Sequence, residues 1–501
     1  MIRVLCTGLL FVGLLASARA DDKPALAPAD LPAHVETRHS LALGGRRLDY
    51  RAIAEIVSLS DAKGDASAAV YTIAYLAEAP AGAAKRPVAF VFNGGPGAAS
   101  VFLHLGAMGP RILETPESGA VPPPPVRVVD NPSSWLAFTD MVFVDPVGTG
   151  FSRGKGKEEN PDKPFWNVRG DLASLAQVVG LWLTRHERWD AAVYLVGESY
   201  GGFRAAALAG TLRRDTGIAV SGLVLVSPAL DTAILHPDIG NLMAAAFQLP
   251  SYAATAAALG GRTGAAFDAA AVERFARSDY LVGLAALPAR PGETDPFIGR
   301  IAELIGLPAE IVRRERGRVS REIFVRELRR TKNERLSVYD GTLARPTADN
   351  PWNDTAGDPM LDPAIAAYTA AFAIHAVETL GYRTERPYRV LPREVSRQWN
   401  WDAARDGERG LGLALSSLEA VMLERPYTRL LIAHGRYDLV TPYLASRWLV
   451  DQLALTAAQR NAVRLRVYEG GHMMYMRPNS RAALAADAAA LFAAPDDAPA
   501  K

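Results

Sequence analysis

The chain has 501 residues, 49% of them hydrophobic, which is enough apolar material for a large core and for two or three structural units. Its 55 basic and 54 acidic side chains give a formal net charge of +1. This balance excludes a chain-wide electrostatic attraction to nucleic acid or to an anionic membrane surface.

The first predicted element is a secretory signal peptide at residues 1–20. Arg3 precedes an apolar run over residues 4–16, and a small-residue cleavage site ends at Ala20. The run is too short to span a bilayer, so the mature protein is expected to be soluble, periplasmic or secreted, and without stable membrane insertion. Cys6, the single cysteine, lies within this segment, so no intramolecular disulfide and no catalytic thiolate are expected after cleavage.

Short apolar runs alternate with helix-like segments through the first half of the mature chain. The runs predict strands at four places: Val88–Phe92, 141–144, 193–196 and 223–226. Residues 171–185 predict a helix, and residues 71–76 with the segment before them predict an antiparallel edge. The alternation favours an α/β fold with a mostly parallel central sheet flanked by helices.

The pattern changes after residue 228, where the sequence becomes alanine-rich and helical. No clear strand follows until 429–433, and then come a strand at 465–468 and a helix at 480–492. We therefore predict three parts after the signal peptide: a first core segment over 21–230, a helical cap insertion over 231–400 and a second core segment over 401–501.

One charged stretch within the insertion could bind nucleic acid. Residues 313–335 hold ten basic and four acidic side chains. The interspersed Ile323, Phe324 and Leu328 favour a solvated amphipathic helix instead, so no nucleic-acid partner is predicted.

The most informative stretch, 194–203, reads Y-L-V-G-E-S-Y-G-G-F. Gly197 and Gly201 flank Ser199 with the spacing of a nucleophile elbow, in which a serine stands exposed between a strand and a helix. The alternative is a glycine-rich turn between core elements. The apolar run before the serine and the alanine-rich helical segment after it favour the elbow.

A serine nucleophile needs a base to take its proton and a third group to fix the tautomer of that base. His472 follows an apolar strand and is expected at the same sheet edge as the serine. Asp438 fits the chain order serine, acid, histidine of α/β-hydrolases. His434 is the rival base, but it precedes the acid, and Asp145 is a rival acid that comes too early in the chain. The structural alternatives are a buried histidine and a turn-capping carboxylate.

Stabilisation of a tetrahedral intermediate requires backbone N–H groups aimed at the developing oxyanion. The N–H of Tyr200, directly after the serine, is the first predicted donor. Gly95 is the second, in the string F-N-G-G-P-G after a predicted strand. A simple glycine turn is the alternative for this string.

Seven strings together resemble the serine carboxypeptidases, an α/β-hydrolase family. In chain order they are N-G-G-P-G (93–97), G-P (109–110), N-P-S-S-W (131–135), D-P-V-G-T-G-F-S (145–152), G-E-S-Y-G-G (197–202), the segment around Asp438, and G-G-H-M (470–473). They follow the family's order across most of the mature chain. The combination is specific, although each string alone is not.

The resemblance implies roles for seven residues: Ser199, Asp438 and His472 as the catalytic triad, Gly95 and Tyr200 as the oxyanion hole, and Asn93 and Glu198 as the binding site for the free carboxylate of a peptide. Glu198 can receive an anionic group only when it is protonated and donates a hydrogen bond. We therefore predict a preference for acidic pH.

The chain departs from the family pattern in two respects. Ala107 stands where the family places a second glutamate, so recognition of the substrate carboxylate is expected to be altered. The secreted eukaryotic members are rich in disulfides, whereas Ala98 stands where a cysteine often follows N-G-G-P-G. These differences suggest a bacterial exported branch.

The leading functional hypothesis is a serine-type carboxypeptidase that hydrolyses C-terminal residues of peptides through an acyl-enzyme intermediate, with no metal and no organic cofactor. An esterase or acyltransferase on the same scaffold is the second, because a triad acts on amides and esters alike. A catalytically silent binding protein is the third. Four aromatic residues of the second half could line the substrate pocket or belong to the core: Trp352, Tyr388, Trp399 and Trp401. The oligomeric state and the preferred terminal residue have no signature in the sequence.

Overall fold

A computed structural model describes residues 31–78, 82, 84–235, 240–261, 267–286, 295–347, 357–401 and 412–493. The predicted signal peptide and Trp352 lie outside these residues.

The described residues form fourteen strands. In chain order they are β1 (His34–Leu43), β2 (Arg46–Ser60), β3 (Ala66–Ala77), β4 (Val88–Phe92), β5 (Arg111–Leu113), β6 (Val128–Asp130), β7 (Asp140–Val144), β8 (Arg153–Gly154), β9 (Val193–Glu198), β10 (Gly222–Val226), β11 (Glu334–Leu336), β12 (Ala344–Pro346), β13 (Arg429–Gly435) and β14 (Val463–Tyr468).

Ten of these strands make one central sheet in the order β1-β2-β3-β7-β4-β9-β10-β13-β14, with β8 beside β3. Strands β1, β2 and β3 are antiparallel, as is the pairing of β3 with β7. From β7 to β14 all neighbours are parallel. Every residue of β4 and β10 is buried, which fits short apolar strands covered on both faces. The predicted α/β fold and its antiparallel edge are confirmed.

The described α-helices are α1 (Val101–Leu103), α2 (Val168–Arg185), α3 (Tyr200–Thr211), α4 (Leu242–Leu259), α5 (Ala269–Arg277), α6 (Asp279–Ala285), α7 (Asp295–Ile305), α8 (Ala309–Arg314), α9 (Arg321–Glu327), α10 (Leu361–Glu378), α11 (Arg393–Arg397), α12 (Leu413–Glu424), α13 (Tyr443–Asp451), α14 (Ala457–Asn461) and α15 (Pro478–Ala493).

Helices cover both faces of the sheet because successive strand side chains point to opposite sides. Phe90 of β4 belongs to a core that includes residues of α2, α3 and α12. Its neighbour Val91 belongs to the opposite core, with residues of α10 and α15. The sheet is therefore the middle layer of three.

A third core lies within the helices α4 to α9 and is joined by residues of α13. Its centre includes Leu249, Ile301 and Phe324, all nearly inaccessible to solvent. Helix α10 packs instead in the core of the sheet face, with Tyr368 and Phe372. The predicted cap insertion over 231–400 thus spans two packing environments, and its limits stay a prediction.

Two details of the insertion differ from those predicted from the sequence. Strands β11 and β12 form a small antiparallel pair in a region predicted to lack strands, because three residues are too few for a recognisable alternation. The charged stretch 313–335 is not one helix: Arg316 and Gly317 have positive φ and separate α8 from α9.

Among the described helices, Leu242–Leu259 is long and apolar enough to cross a membrane by length and composition. However, 78% of this stretch is buried inside the protein, where it contributes to the third core.

Candidate active site

Ser199 occupies the turn between β9 and α3. Its backbone angles are φ 60° and ψ −123°, a conformation that a non-glycine residue adopts at a cost and that persists only where the surroundings enforce it. The turn is so tight that a β-carbon at Gly197 would lie 1.8 Å from the carbonyl oxygen of Gly201. Ser199 is partly exposed between the buried Glu198 and Tyr200, as a nucleophile elbow requires.

The loops after β13 and β14 bring Asp438 and His472 to the elbow. Strands β9, β10, β13 and β14 are parallel neighbours, so their carboxyl ends meet at one edge of the sheet. The N–H of His472 donates to the carbonyl of Tyr339, whose ring packs edge-on against the imidazole at 5.4 Å. Residues far apart in sequence thus converge on Ser199.

His472 Nδ1 lies 2.8 Å from Asp438 Oδ2, and both side chains are buried. The N–H groups of Val440 and Thr441 donate to Asp438 Oδ1 at 2.8 and 3.0 Å, and the Thr441 hydroxyl donates to Oδ2 at 2.7 Å. These contacts hold the carboxylate so that Nδ1 of the imidazole carries its proton toward Asp438. Nε2 is then left for the pocket.

The electrostatics of this pair follow from its geometry. Burial raises the pKa of Asp438, but the adjacent His472 and the hydrogen bonds from Thr441 bring it below its ordinary value. Burial lowers the pKa of His472, whereas the Asp438 carboxylate, with a smaller effect of Glu198, raises it overall. Asp438 therefore stays ionised and stabilises a protonated imidazole.

Ser199 and His472 face a common cavity of about 120 Å³. No hydrogen bond joins their side chains within the described part of the chain, as is frequent for catalytic groups without substrate. The polar wall of the cavity includes Asn93, Gly94, Gly95 and Glu198. The rest of the wall is largely apolar and consists of Ala98, Phe102, Tyr339, Leu361, Leu391, Val440 and Met473.

The glycine loop after β4 lies directly against the elbow. A β-carbon at Gly94 would lie 2.6 Å from the backbone nitrogen of Tyr200, so only glycine permits this approach. Neither the N–H of Gly95 nor that of Tyr200 donates a hydrogen bond to another described residue. Both groups lie at the N-terminus of α3 or beside it, where a developing negative charge is stabilised.

Glu198 is buried one residue before the serine. The Asn93 Nδ2 group donates to its Oε2, and the Tyr475 hydroxyl lies 2.9 Å from both of its oxygens. Burial is the largest influence on Glu198 and raises its pKa to about 7, although His472, Tyr475 and Asn93 act in the opposite direction. The site therefore contains a carboxyl group that stays protonated up to near-neutral pH.

A buried ion pair supports the position of Asn93. Arg204 of α3 donates through Nη1 to the Asn93 carbonyl and through Nε to Asp171 of α2, at 2.8 Å for the latter. Both Arg204 and Asp171 are almost completely inaccessible to solvent. Arg204 therefore connects α2 and α3 to the loop after β4, which contributes Asn93, Gly94 and Gly95 to the cavity.

The rival residues have other hydrogen-bond partners. His434 is buried with Nε2 2.9 Å from the Ser446 hydroxyl, and burial lowers its pKa to about 4. Asp145 accepts hydrogen bonds from the N–H and the hydroxyl of Ser100, both at 2.8 Å, and from Tyr388 at 3.1 Å. Asp145 therefore holds the start of α1 in place, whereas the acid bonded to His472 is Asp438.

Of the four aromatic residues that could line the pocket or belong to the core, the three described ones are not among the residues that line the cavity. Trp399 and Trp401 pack edge-on against the Tyr200 ring, and Tyr388 stacks on Phe372. The insertion contributes other residues to the cavity: Tyr339, Leu361 and Leu391.

Tyr475 is not among the site residues predicted from the sequence. Ala107 is buried in the short helical turn His104–Met108, and Tyr475, not a second carboxyl group, is bonded to Glu198. Its position three residues after His472, in the same loop, was the available signal.

Two sequence comparisons find similarity to serine carboxypeptidases, and a comparison of structures bears on the fold. Residues 66–241 match the family model described as serine carboxypeptidase. A probable serine carboxypeptidase of Arthroderma benhamiae is 33% identical over 152 residues, which are 28% of this chain and 25% of that protein. Serine carboxypeptidase-like 46 of Arabidopsis thaliana is 26% identical over 167 residues, 32% of this chain and 33% of that protein.

The chain thus matches about a quarter to a third of the length of these curated relatives. Among solved structures, Kex1(delta)p, a prohormone-processing carboxypeptidase from Saccharomyces cerevisiae, superposes with a TM-score of 0.52 at 13% identity, covering 87% of this chain and 90% of that one. This likeness concerns the fold. The chain has the α/β-hydrolase fold, and its residues 66–241 match the serine carboxypeptidase family model.

Proposed function

We propose that the protein is a serine-type carboxypeptidase that releases the C-terminal residue of peptides. The observation that carries the proposal is the buried Asn93–Glu198 pair, which lines the same cavity as Ser199 and His472. A neutral carboxyl group and an amide beside a nucleophile suit a substrate that ends in a free carboxylate. The names of the curated relatives point to the same activity.

In the proposed reaction the Ser199 hydroxyl attacks the carbonyl carbon of the last peptide bond. His472 takes the serine proton at Nε2 while Asp438 accepts the hydrogen bond from Nδ1. The N–H groups of Gly95 and Tyr200 stabilise the oxyanion, and removal of one such donor typically costs about 10² to 10³ in turnover. The imidazolium then protonates the leaving amine, the terminal amino acid departs, and water hydrolyses the acyl-enzyme.

The two titrating groups predict different pH limits for different substrates. His472 must be neutral to act as a base, which sets an acid limb for every substrate. Glu198 must be protonated to receive a carboxylate, so free-acid peptides gain an alkaline limb near pH 7. Peptide amides and esters, which carry no terminal charge, are expected to lack that second limb.

The first experiment compares an N-blocked dipeptide acid with its C-terminal amide from pH 4 to 8, with Ser199→Ala as the inactive control. We expect preferential release of the terminal residue from the acid below pH 7 and loss of this activity in the variant. Equal or better turnover of the amide, or turnover of simple esters alone, would contradict carboxypeptidase action and favour an esterase or acyltransferase. Ala107, in place of the family's second glutamate, is the feature that favours this second candidate.

Glu198→Gln is the matched variant for carboxylate recognition. Glutamine keeps an oxygen that accepts from Tyr475 and Asn93 and a neutral N–H₂ that donates, but it does not titrate. The ratio of kcat/KM for acid and amide should therefore lose its dependence on pH. A ratio that still falls between pH 6 and 8 would show that another group controls recognition.

We also propose that the protein belongs to a bacterial exported branch and is periplasmic or secreted. The supporting pattern is the signal-like sequence at residues 1–20, which ends at Ala20. N-terminal sequencing of the protein from culture fractions tests this proposal: a cytoplasmic protein that begins at Met1 would contradict it.

A further inference from the structure

The Tyr475 hydroxyl lies 2.9 Å from both carboxyl oxygens of Glu198. Tyr475 is buried in the short turn Met474–Met476, which follows His472. Its hydroxyl has no hydrogen-bond acceptor other than Glu198 among the described residues. A buried phenol must donate to an acceptor, so the direction of this hydrogen bond is from Tyr475 to Glu198.

The direction of the second contact of Glu198 is also determined. The Asn93 side-chain oxygen accepts from the N–H of Leu103 at 3.0 Å, and its Nδ2 therefore points to Glu198. Both protein groups bonded to Glu198 are donors. Because Asn93 Nδ2 can only donate and the Tyr475 hydroxyl donates to one carboxyl oxygen, an acidic proton on the other oxygen is available to an acceptor on the open side of Glu198, which faces the cavity with Ser199.

We propose that Tyr475 is a positioning residue: together with Asn93 it occupies the acceptor positions of Glu198 and directs the acidic proton of that group toward the carboxylate of a bound peptide. The inference rests on the proposed function and names the partner that completes its recognition site. Tyr475 replaces the carboxyl group expected from the family pattern, because Ala107 carries no polar side chain.

Several titratable groups face Glu198 from the surrounding elements. His472 and Asp438 approach from the loops after β14 and β13, Tyr339 from the insertion and Tyr368 from α10. Burial and Asp438 raise the pKa of Glu198, whereas His472, Tyr475 and Asn93 lower it. Removal of the Tyr475 hydroxyl should therefore keep Glu198 protonated to higher pH.

The decisive variant is Tyr475→Phe, with Tyr368→Phe as its matched control. Tyr368 is also buried near Glu198, but its hydroxyl lies 2.9 Å from the sulfur of Met476. Infrared difference spectra against Glu198→Gln follow the protonated carboxyl of Glu198 from pH 5 to 9 without any substrate. Since hydrogen bonds to charged groups contribute about 1.5–3 kcal/mol, the midpoint should rise by about one pH unit or more in Tyr475→Phe and remain in place in Tyr368→Phe.

The kinetic readout uses the dipeptide acid, its amide and an activated ester. In Tyr475→Phe we expect kcat/KM for the acid to fall about 10-fold, mainly through KM, with its alkaline limb moved upward, and the amide and ester rates to stay within about 2-fold. An unchanged infrared midpoint, or equal losses on all three substrates, would overturn the proposal. If the wild-type enzyme fails on free acids, the proposed function is rejected, whereas the infrared titration still decides whether Tyr475 controls Glu198.

Discussion

At Asp438 the two carboxyl oxygens have different partners. Oδ1 accepts from two backbone N–H groups, those of Val440 and Thr441, and Oδ2 faces His472 Nδ1 at 2.8 Å. Because both backbone groups are donors, the side-chain atom that faces them must be an acceptor. The backbone of the turn after Asp438 therefore determines which side-chain atom of residue 438 faces the imidazole.

Asp438→Asn should reduce kcat by about 10⁴ on both ester and peptide substrates. The asparagine oxygen must accept from the backbone N–H groups, so its N–H₂ group faces His472 and forces the proton of the imidazole onto Nε2, the wrong tautomer. Burst kinetics with an activated ester measure the loss.

The matched control is Asp145→Asn, which alters a buried acid bonded to Ser100 and should leave kcat within about 5-fold. A loss of similar size in both variants would indicate a general structural defect and contradict the role of Asp438.

At the scale of secondary-structure elements, α2 and α3 are connected to the glycine loop by one buried cation. Arg204 bridges Asp171 and the carbonyl of Asn93. Burial raises the pKa of Asp171 above its ordinary value, although the charge and hydrogen bond of Arg204 counteract this effect. The pair therefore connects two helices to the glycine loop that lines the cavity.

Asp171→Asn should destabilise the protein by about 3–5 kcal/mol because it leaves the Arg204 charge without a counterion. Urea unfolding at pH 7.5 measures this change. The double variant Asp171→Leu, Arg204→Met removes both charges and should recover much of the stability. Its KM for dipeptide acids should nevertheless rise, since the Asn93 carbonyl loses its donor. Full stability in the single variant would contradict this account.

At the scale of the whole molecule, three histidines in the described part of the chain are buried, and each has a hydroxyl group as its hydrogen-bond partner. His104 and His375 both contact the Tyr75 hydroxyl at 2.7 Å, and His434 contacts Ser446. Burial, with smaller charge effects, lowers the pKa of His375 to about 3, that of His434 to about 4 and that of His104 well below its ordinary value. Burial therefore holds each of them neutral in the folded protein near neutral pH, and each weakens folding as the pH falls below about 6.5.

His434→Gln should cost more stability at pH 7.5 than at pH 5. Between these pH values His434 becomes protonated in the unfolded wild-type chain but stays neutral in the folded chain. This difference lowers the free energy of unfolding of the wild type by about 2 kcal/mol. The variant lacks this penalty, so its stability relative to wild type should improve by that amount on acidification. Urea unfolding at both pH values tests the shift, and Ser446→Ala, which titrates nothing new, should show no such dependence. Equal differences at both pH values for His434→Gln would refute the assignment.

The sequence predicted those parts of the molecule that local chemistry dictates. The α/β fold followed from apolar runs, and the elbow at Ser199 followed from glycines that no other residue can replace. Tyr475 was missed because a tyrosine among methionines resembles core, and its partner Glu198 lies 277 residues away. Likewise, nothing in the local pattern of α3 shows that Arg204 reaches Asn93. Polar contacts between residues far apart in the chain produce no periodic pattern in the sequence, so they cannot be predicted from it.

The sheet order has a consequence for when the chemistry can begin during synthesis. In the sequence, β9, which precedes Ser199, is separated from β13 and β14 by the whole insertion. In the sheet, only β10 lies between β9 and β13, and β14 is the next strand after β13. A ribosome-bound chain that has emerged only as far as β10 therefore holds a nucleophile with no base. An enzyme of the proposed kind would be inactive until β13 and β14 (residues 429–468) have emerged and paired, so its topology delays activity almost to the end of synthesis.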